Sequence, residues 1–114
     1  MFEKNLAISD LLDTYAAVLS ARHREMLDCY YNQDLSLAEI AEQLGITRQA
    51  VRDSIKKTEQ ELFFYEEKLG LRRRLTEAET RVGTAITLCR AAGDNLPPAL
   101  AEELEAIRRA VAME

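Results

Sequence analysis

The chain has 114 residues, of which 47% are hydrophobic and 31% charged, with four glycines and two prolines. That balance excludes a disordered or loop-rich polymer and suits one compact domain, or a small domain with a helical appendage. The net charge of −5 argues against a simple polyanion-binding surface, because phosphate contacts need cations.

The opening stretch, MFEKNLAISD, scatters its apolar residues among charges and has no signal-peptide layout. No apolar run approaches the length of a membrane span. Ser9 and Asp10 are expected to open a first helix running through Leu11, Leu12, Tyr15 and Leu19. Ser20 caps a second, with Met26, Leu27 and Tyr30 on its inner side. Asn32, Gln33 and Asp34 then break the chain. Residues 1–35 carry a net charge of −3.

Residues 36–57, SLAEIAEQLGITRQAVRDSIKK, are the most informative segment. Ser36 and Glu39 form a capping box, so a helix starts near Leu37 and shows Ile40, Ala41 and Leu44 on one face. Gly45 stops it where a left-handed backbone is needed, and Ile46 fills the space between two helices. Thr47 caps the next helix, which begins near Arg48 and buries Val51 and Ile55. This is the layout of a helix-turn-helix, a unit that can set its second helix in the major groove of DNA. The segment is net +1.

No Gly or Pro interrupts the second helix until Gly70, which predicts about 20 residues of helix. Its tail carries Leu62, Phe63, Phe64 and Tyr65, and residues 58–70 are net −3. A further helix from about Leu71 to Ala92 aligns Leu71, Leu75, Ala78, Val82, Ile86 and Cys89, and is net +3. Gly93, Asp94 and Asn95 end it. Pro97 and Pro98 start the last helix, with Leu100, Leu104, Ile107 and Val111 in line and a net charge of −3 over residues 93–114. No strand-length alternation is present. The expected fold is all-α with about six helices: a winged-helix-like or sigma-type helix-turn-helix core (1–70) and a C-terminal helical hairpin (71–114).

Arg48, Gln49, Arg52 and Lys56 are the exposed candidates for DNA reading, with Thr47 suited to a phosphate and Lys57 completing the set. Arg grips guanine and Gln grips adenine in two-pronged contacts worth roughly 1–3 kcal/mol of discrimination each. Asp53 in their midst would repel phosphate unless it pairs with Lys56 or Lys57. Arg72, Arg73 and Arg74 admit two readings: accessory phosphate contacts, or a solvated helix start paired with Glu66, Glu67 or Glu77. The last two helices also leave two readings open. Their apolar stripes either close within the monomer or form a symmetric homodimer, which would present paired helices to paired half-sites.

Catalysis finds no support. His23 lies among charges, and Glu102, Glu103 and Glu105 read as a solvated helix face. No nucleophile has a base at recognisable spacing, and there is no phosphate-cradling loop, metal constellation or cofactor motif. Cys29 and Cys89 stand alone and read as reduced, partly buried thiols of a cytoplasmic protein.

The stretch RHREMLDCYYNQDLSLAEIAEQLGITRQAVRDSIKKTEQEL resembles the DNA-binding helices of the fourth conserved region of bacterial sigma factors. It is still more similar to the YlxM family of small helix-turn-helix proteins. The resemblance rests on Arg22 to Leu27, the Tyr30-Tyr31 pair, Asp34-Leu35-Ser36, and TRQAV followed by Asp53, Ile55 and Lys56. With FFYEEKLGL it extends over roughly residues 5 to 71. One position departs from the family pattern: Arg52 follows Val51 where other members often carry an aromatic. The resemblance implies DNA binding and, from the gene neighbourhood of the family, a regulatory role in the signal recognition particle pathway. Two further roles stay open. One is an adaptor that binds the particle's protein or RNA. The other is an interaction module of the kind by which sigma-type domains bind polymerase subunits.

Overall fold

The computed structural model describes residues 7–112; the MFEKNL segment of the signal-peptide expectation lies outside them. They form α1 (Ala7–Tyr15), α2 (Ala21–Leu27), α3 (Leu37–Leu44), α4 (Arg48–Leu69), α5 (Leu71–Ala92) and α6 (Pro98–Val111). The described residues include no strand, so none of them builds a wing. The chain divides at Gly70 into two compact units.

In the first unit, α1 to α4 close around one apolar core. α1 already runs at Ala7, so Ser9 and Asp10 lie inside it rather than opening it. The reason is the stripe Ile8, Leu11, Leu12 and Tyr15, whose spacing puts all four on the buried face. α1 also ends earlier than expected. A tight 3-10 turn over Ala16–Val18 follows it, and Leu19 reaches the core from beyond that turn. Ser20 caps α2, its hydroxyl accepting from the His23 amide at 3.2 Å.

α2 does not stop cleanly. It widens into a π turn over Asp28–Asn32, which brings both Cys29 and Tyr30 into the core. The Asp28 carboxylate accepts from the side-chain amides of Asn32 at 2.8 Å and Gln33 at 2.9 Å. Those two bonds hold its carboxyl below the usual aspartate range. Burial, then the nearby charges of Glu25 and Asp28, push the Cys29 thiol up, which favours its protonated form. Asp34 takes a left-handed backbone (φ 56°), which a short polar side chain tolerates, and turns the chain into α3.

Two tyrosines tie the early helices to α4. The Tyr15 hydroxyl donates to Glu66 at 2.6 Å, and the Tyr31 hydroxyl donates to Glu59. α4 presents Val51, Ile55, Thr58 and Leu62 to the core, one residue per turn. Thr58 is fully buried, and its hydroxyl is satisfied by the Ser54 carbonyl at 2.8 Å.

The second unit is an α5–α6 hairpin. α5 ends in a 3-10 turn over Gly93–Asn95, where Gly93 has φ 61°. Pro97 is extended, and Pro98 stands at the first helical position, where no amide hydrogen is missed. Arg90 and Glu105 bridge the two helices at 3.5 Å, and Arg108 donates to Glu105 at 3.0 Å. Among the described residues of this unit only Ile86 is buried. Leu75, Ala78, Val82, Cys89, Leu104 and Val111 are half-buried, whereas Leu71, Leu100 and Ile107 of the expected stripes are exposed. Two helices cannot enclose a seam between them.

Candidate nucleic-acid interface

The two helices of the motif are fixed by their ends. Ser36 accepts from the Glu39 amide while Glu39 accepts from the Ser36 amide, both at 3.0 Å. Gly45 ends α3 with φ 69°, and nothing lies near the position a side chain would take. The turn there requires backbone freedom rather than space. Thr47 accepts from the Ala50 amide at 3.0 Å and so starts α4. Ile40, Ala41, Val51 and Ile55 are buried against each other's helices, with Ile46 partly buried between them. Every element of this geometry was expected from the sequence.

The candidate reading residues sit at the exposed start of α4. Arg48, Gln49 and Arg52 line an open cleft whose other wall is Ser36, Leu37 and Ala38 at the start of α3. At about 100° per residue, Arg48, Gln49, Arg52 and Lys56 share an arc of about 100° on the helix. Lys57 falls about 100° beyond Lys56 and stands outside that face. All five side chains are exposed. Asp53, in the midst of these residues, accepts from the Gln49 side-chain amide at 2.9 Å. That bond fixes the Gln49 amide, leaving its carbonyl end toward solvent.

Reading the sequence did not single out the α3 wall. Leu37 and Ala38 carry no polar side chain, and their contribution is the backbone amides of a helix start. The capping box was the available signal, because it locates those amides. Two helix starts with positive dipole ends therefore border one cleft beside two arginines. The first turn of α4 contains no acidic residue.

The arginine triplet belongs to the second unit. Arg72 donates to Thr76 at 3.0 Å and lies 3.9 Å from Glu79, one and two turns along its own helix. Of the partners expected for the triplet, Glu77 pairs with Arg81 at 4.0 Å. Arg73 and Arg74 are exposed. Among the described residues no helix is long and apolar enough to cross a membrane.

The fold and this cleft define a helix-turn-helix protein. The chain belongs to the UPF0122 family, whose model, described as "Putative helix-turn-helix protein, YlxM / p13 like", matches residues 2–86. A UPF0122 protein of Clostridium kluyveri is 52% identical over 69 residues, 60% of this chain and 62% of that protein. One of Desulforamulus reducens is 53% identical over 64 residues, covering 56% and 55%. One of Bacillus cereus is 44% identical over 82 residues, covering 72% and 74%. The chain thus spans less than two thirds of the first two relatives. The family match ends within α5, so α6 lies beyond it.

Proposed function

We propose that this chain is a non-catalytic, cytoplasmic regulatory protein that reads DNA with the start of α4. The observation that carries the proposal is the cleft in which Arg48, Gln49 and Arg52 face the start of α3. Arg48 and Arg52 suit guanine, the exposed carbonyl end of Gln49 suits a base amino group, and Lys56 continues the same face. Thr47 keeps its hydroxyl hydrogen for a phosphate after accepting the capping bond, and Lys57 reaches phosphates outside the groove face. A homodimer carrying two such helices would meet paired half-sites, with Arg72, Arg73 and Arg74 as accessory phosphate contacts. Its regulatory role is proposed to be linked to the signal recognition particle pathway, on the family resemblance.

Selection of duplexes from a random pool by the purified chain, followed by fluorescence anisotropy, tests this reading. A preferred sequence should emerge, and Arg48→Ala or Arg52→Ala should each remove roughly 1–3 kcal/mol of discrimination. Equal weak binding to every duplex at moderate salt would overturn it. The net charge of −5 favours a second reading, an adaptor whose acidic surfaces face a basic protein of the particle, with Arg72, Arg73 and Arg74 as the part that would face its RNA. Tight capture of either, with indifference to duplex sequence, would establish that one instead.

A further inference from the structure

The α5–α6 hairpin has one shielded flank and one bare flank. Along α5, Leu75, Ala78, Val82, Ala85, Cys89 and Ala92 recur at alternating steps of three and four and are all half-buried. On one side of this seam Arg72 and Glu79 are half-buried and Ile86 is buried, at seven-residue intervals. On the other side Arg74, Arg81 and Leu88 are all exposed, Leu88 at 66%. α6 therefore covers only the first flank. α6 shows the same asymmetry: Leu104 and Val111 are half-buried, whereas Leu100 and Ile107 on the neighbouring edge are 39% and 40% exposed. In an antiparallel helix pair the corresponding flanks of the two helices share one side of the hairpin. The exposed apolar residues of α5 and α6 thus lie on a single broad face.

The hairpin carries opposite charge at its two ends, with Arg74 on the bare flank of α5 at one end and Glu103 exposed near the other. α6 runs back along α5 from its far end, as the Arg90–Glu105 bridge requires. Arg72, Arg73 and Arg74 therefore stand at one end of the hairpin, and Glu102, Glu103 and Glu105 stand toward the other. We propose that this face docks against the same face of a second copy, the two hairpins antiparallel about a two-fold axis, forming a four-helix bundle. This arrangement sets the arginine end of each copy against the glutamate end of the other, with Arg74 opposite Glu103 and Leu71 toward Leu100 of the second copy. A parallel arrangement sets arginines on arginines. A two-fold contact closes at two copies and buries both apolar faces at once.

The proposal rests on the dimeric part of the DNA-reading model and is tested without DNA. Sedimentation equilibrium of the full chain should give twice the 12.9 kDa chain mass. Leu88→Glu should give a monomer with unchanged helical circular dichroism, since that side chain is exposed in the single chain. Arg74→Glu and Glu103→Arg should each weaken the dimer about tenfold, two repelling pairs arising from one substitution. Combined, they should restore affinity to within about threefold of wild type. A monomeric wild type at tens of micromolar, or a double variant no tighter than the singles, overturns the proposal. A dimer that ignores duplex sequence overturns the DNA reading alone.

Discussion

The two units reach helical structure by different routes. Among its described residues the first buries fourteen hydrophobic ones around one core, from Ile8 to Leu62. The second buries Ile86 alone among its described residues, and its helices are 22 and 14 residues long. A four-helix arrangement has an inside; a helical hairpin has only a seam. The first unit is therefore a scaffold rigid enough to hold the Arg48–Arg52 cleft, whereas the second leaves large apolar side chains exposed, Leu88 and Ile107 among them.

Core truncation should separate the units most strongly. Ile55→Ala, at a fully buried position, is expected to cost about 2–5 kcal/mol in urea unfolding. Ile86→Ala should cost less than half of that, because fewer atoms surround it. Equal costs would show the hairpin to be as well packed as the core.

The caps come next. Ser36→Ala and Thr47→Ala should each lose about 1 kcal/mol of stability, seen as a lower urea midpoint. The second unit offers no equivalent test, since no side-chain cap bond starts α6. Tyr15→Phe should cost about 1 kcal/mol by removing the bond to Glu66 that ties α1 to the tail of α4.

The smallest effect is the acid limb of the first unit. Folding holds the Asp28 carboxyl below its ordinary value of 3.8. Its contribution is therefore complete above that value and is lost as pH falls through the lower, folded-state value. Thermal unfolding followed from neutral pH down to pH 3 should lose stability less steeply in Asp28→Asn than in wild type. An identical slope in the two proteins would remove Asp28 from the acid transition.

Legibility in the sequence followed the range of the interaction. The capping box at Ser36 and Glu39, the Gly45 stop and the Val51–Ile55 spacing were readable because each acts within one or two turns. The start of α1 was misplaced because Ser9 and Asp10 carry a cap signature that the Ile8–Leu11–Leu12–Tyr15 stripe overrides. The π turn over Asp28–Asn32 has no sequence periodicity of its own and forms where core packing draws in both Cys29 and Tyr30. The Gln49–Asp53 bond went unread because, at helical spacing, Lys56 and Lys57 offer Asp53 ion pairs that look equally available.

By itself the sequence determined that the fold is all-α, where α3 and α4 begin, and which residues α4 offers to solvent. Those outcomes depend on caps, turns and periodicity, whose energies are local. Only the tertiary structure decided which walls meet to form the cleft, that Tyr15 and Tyr31 tether the early helices to α4, and which flank of the hairpin stays bare. Those outcomes depend on contacts between residues far apart in the chain, and no local pattern specifies which of several apolar faces will find one another.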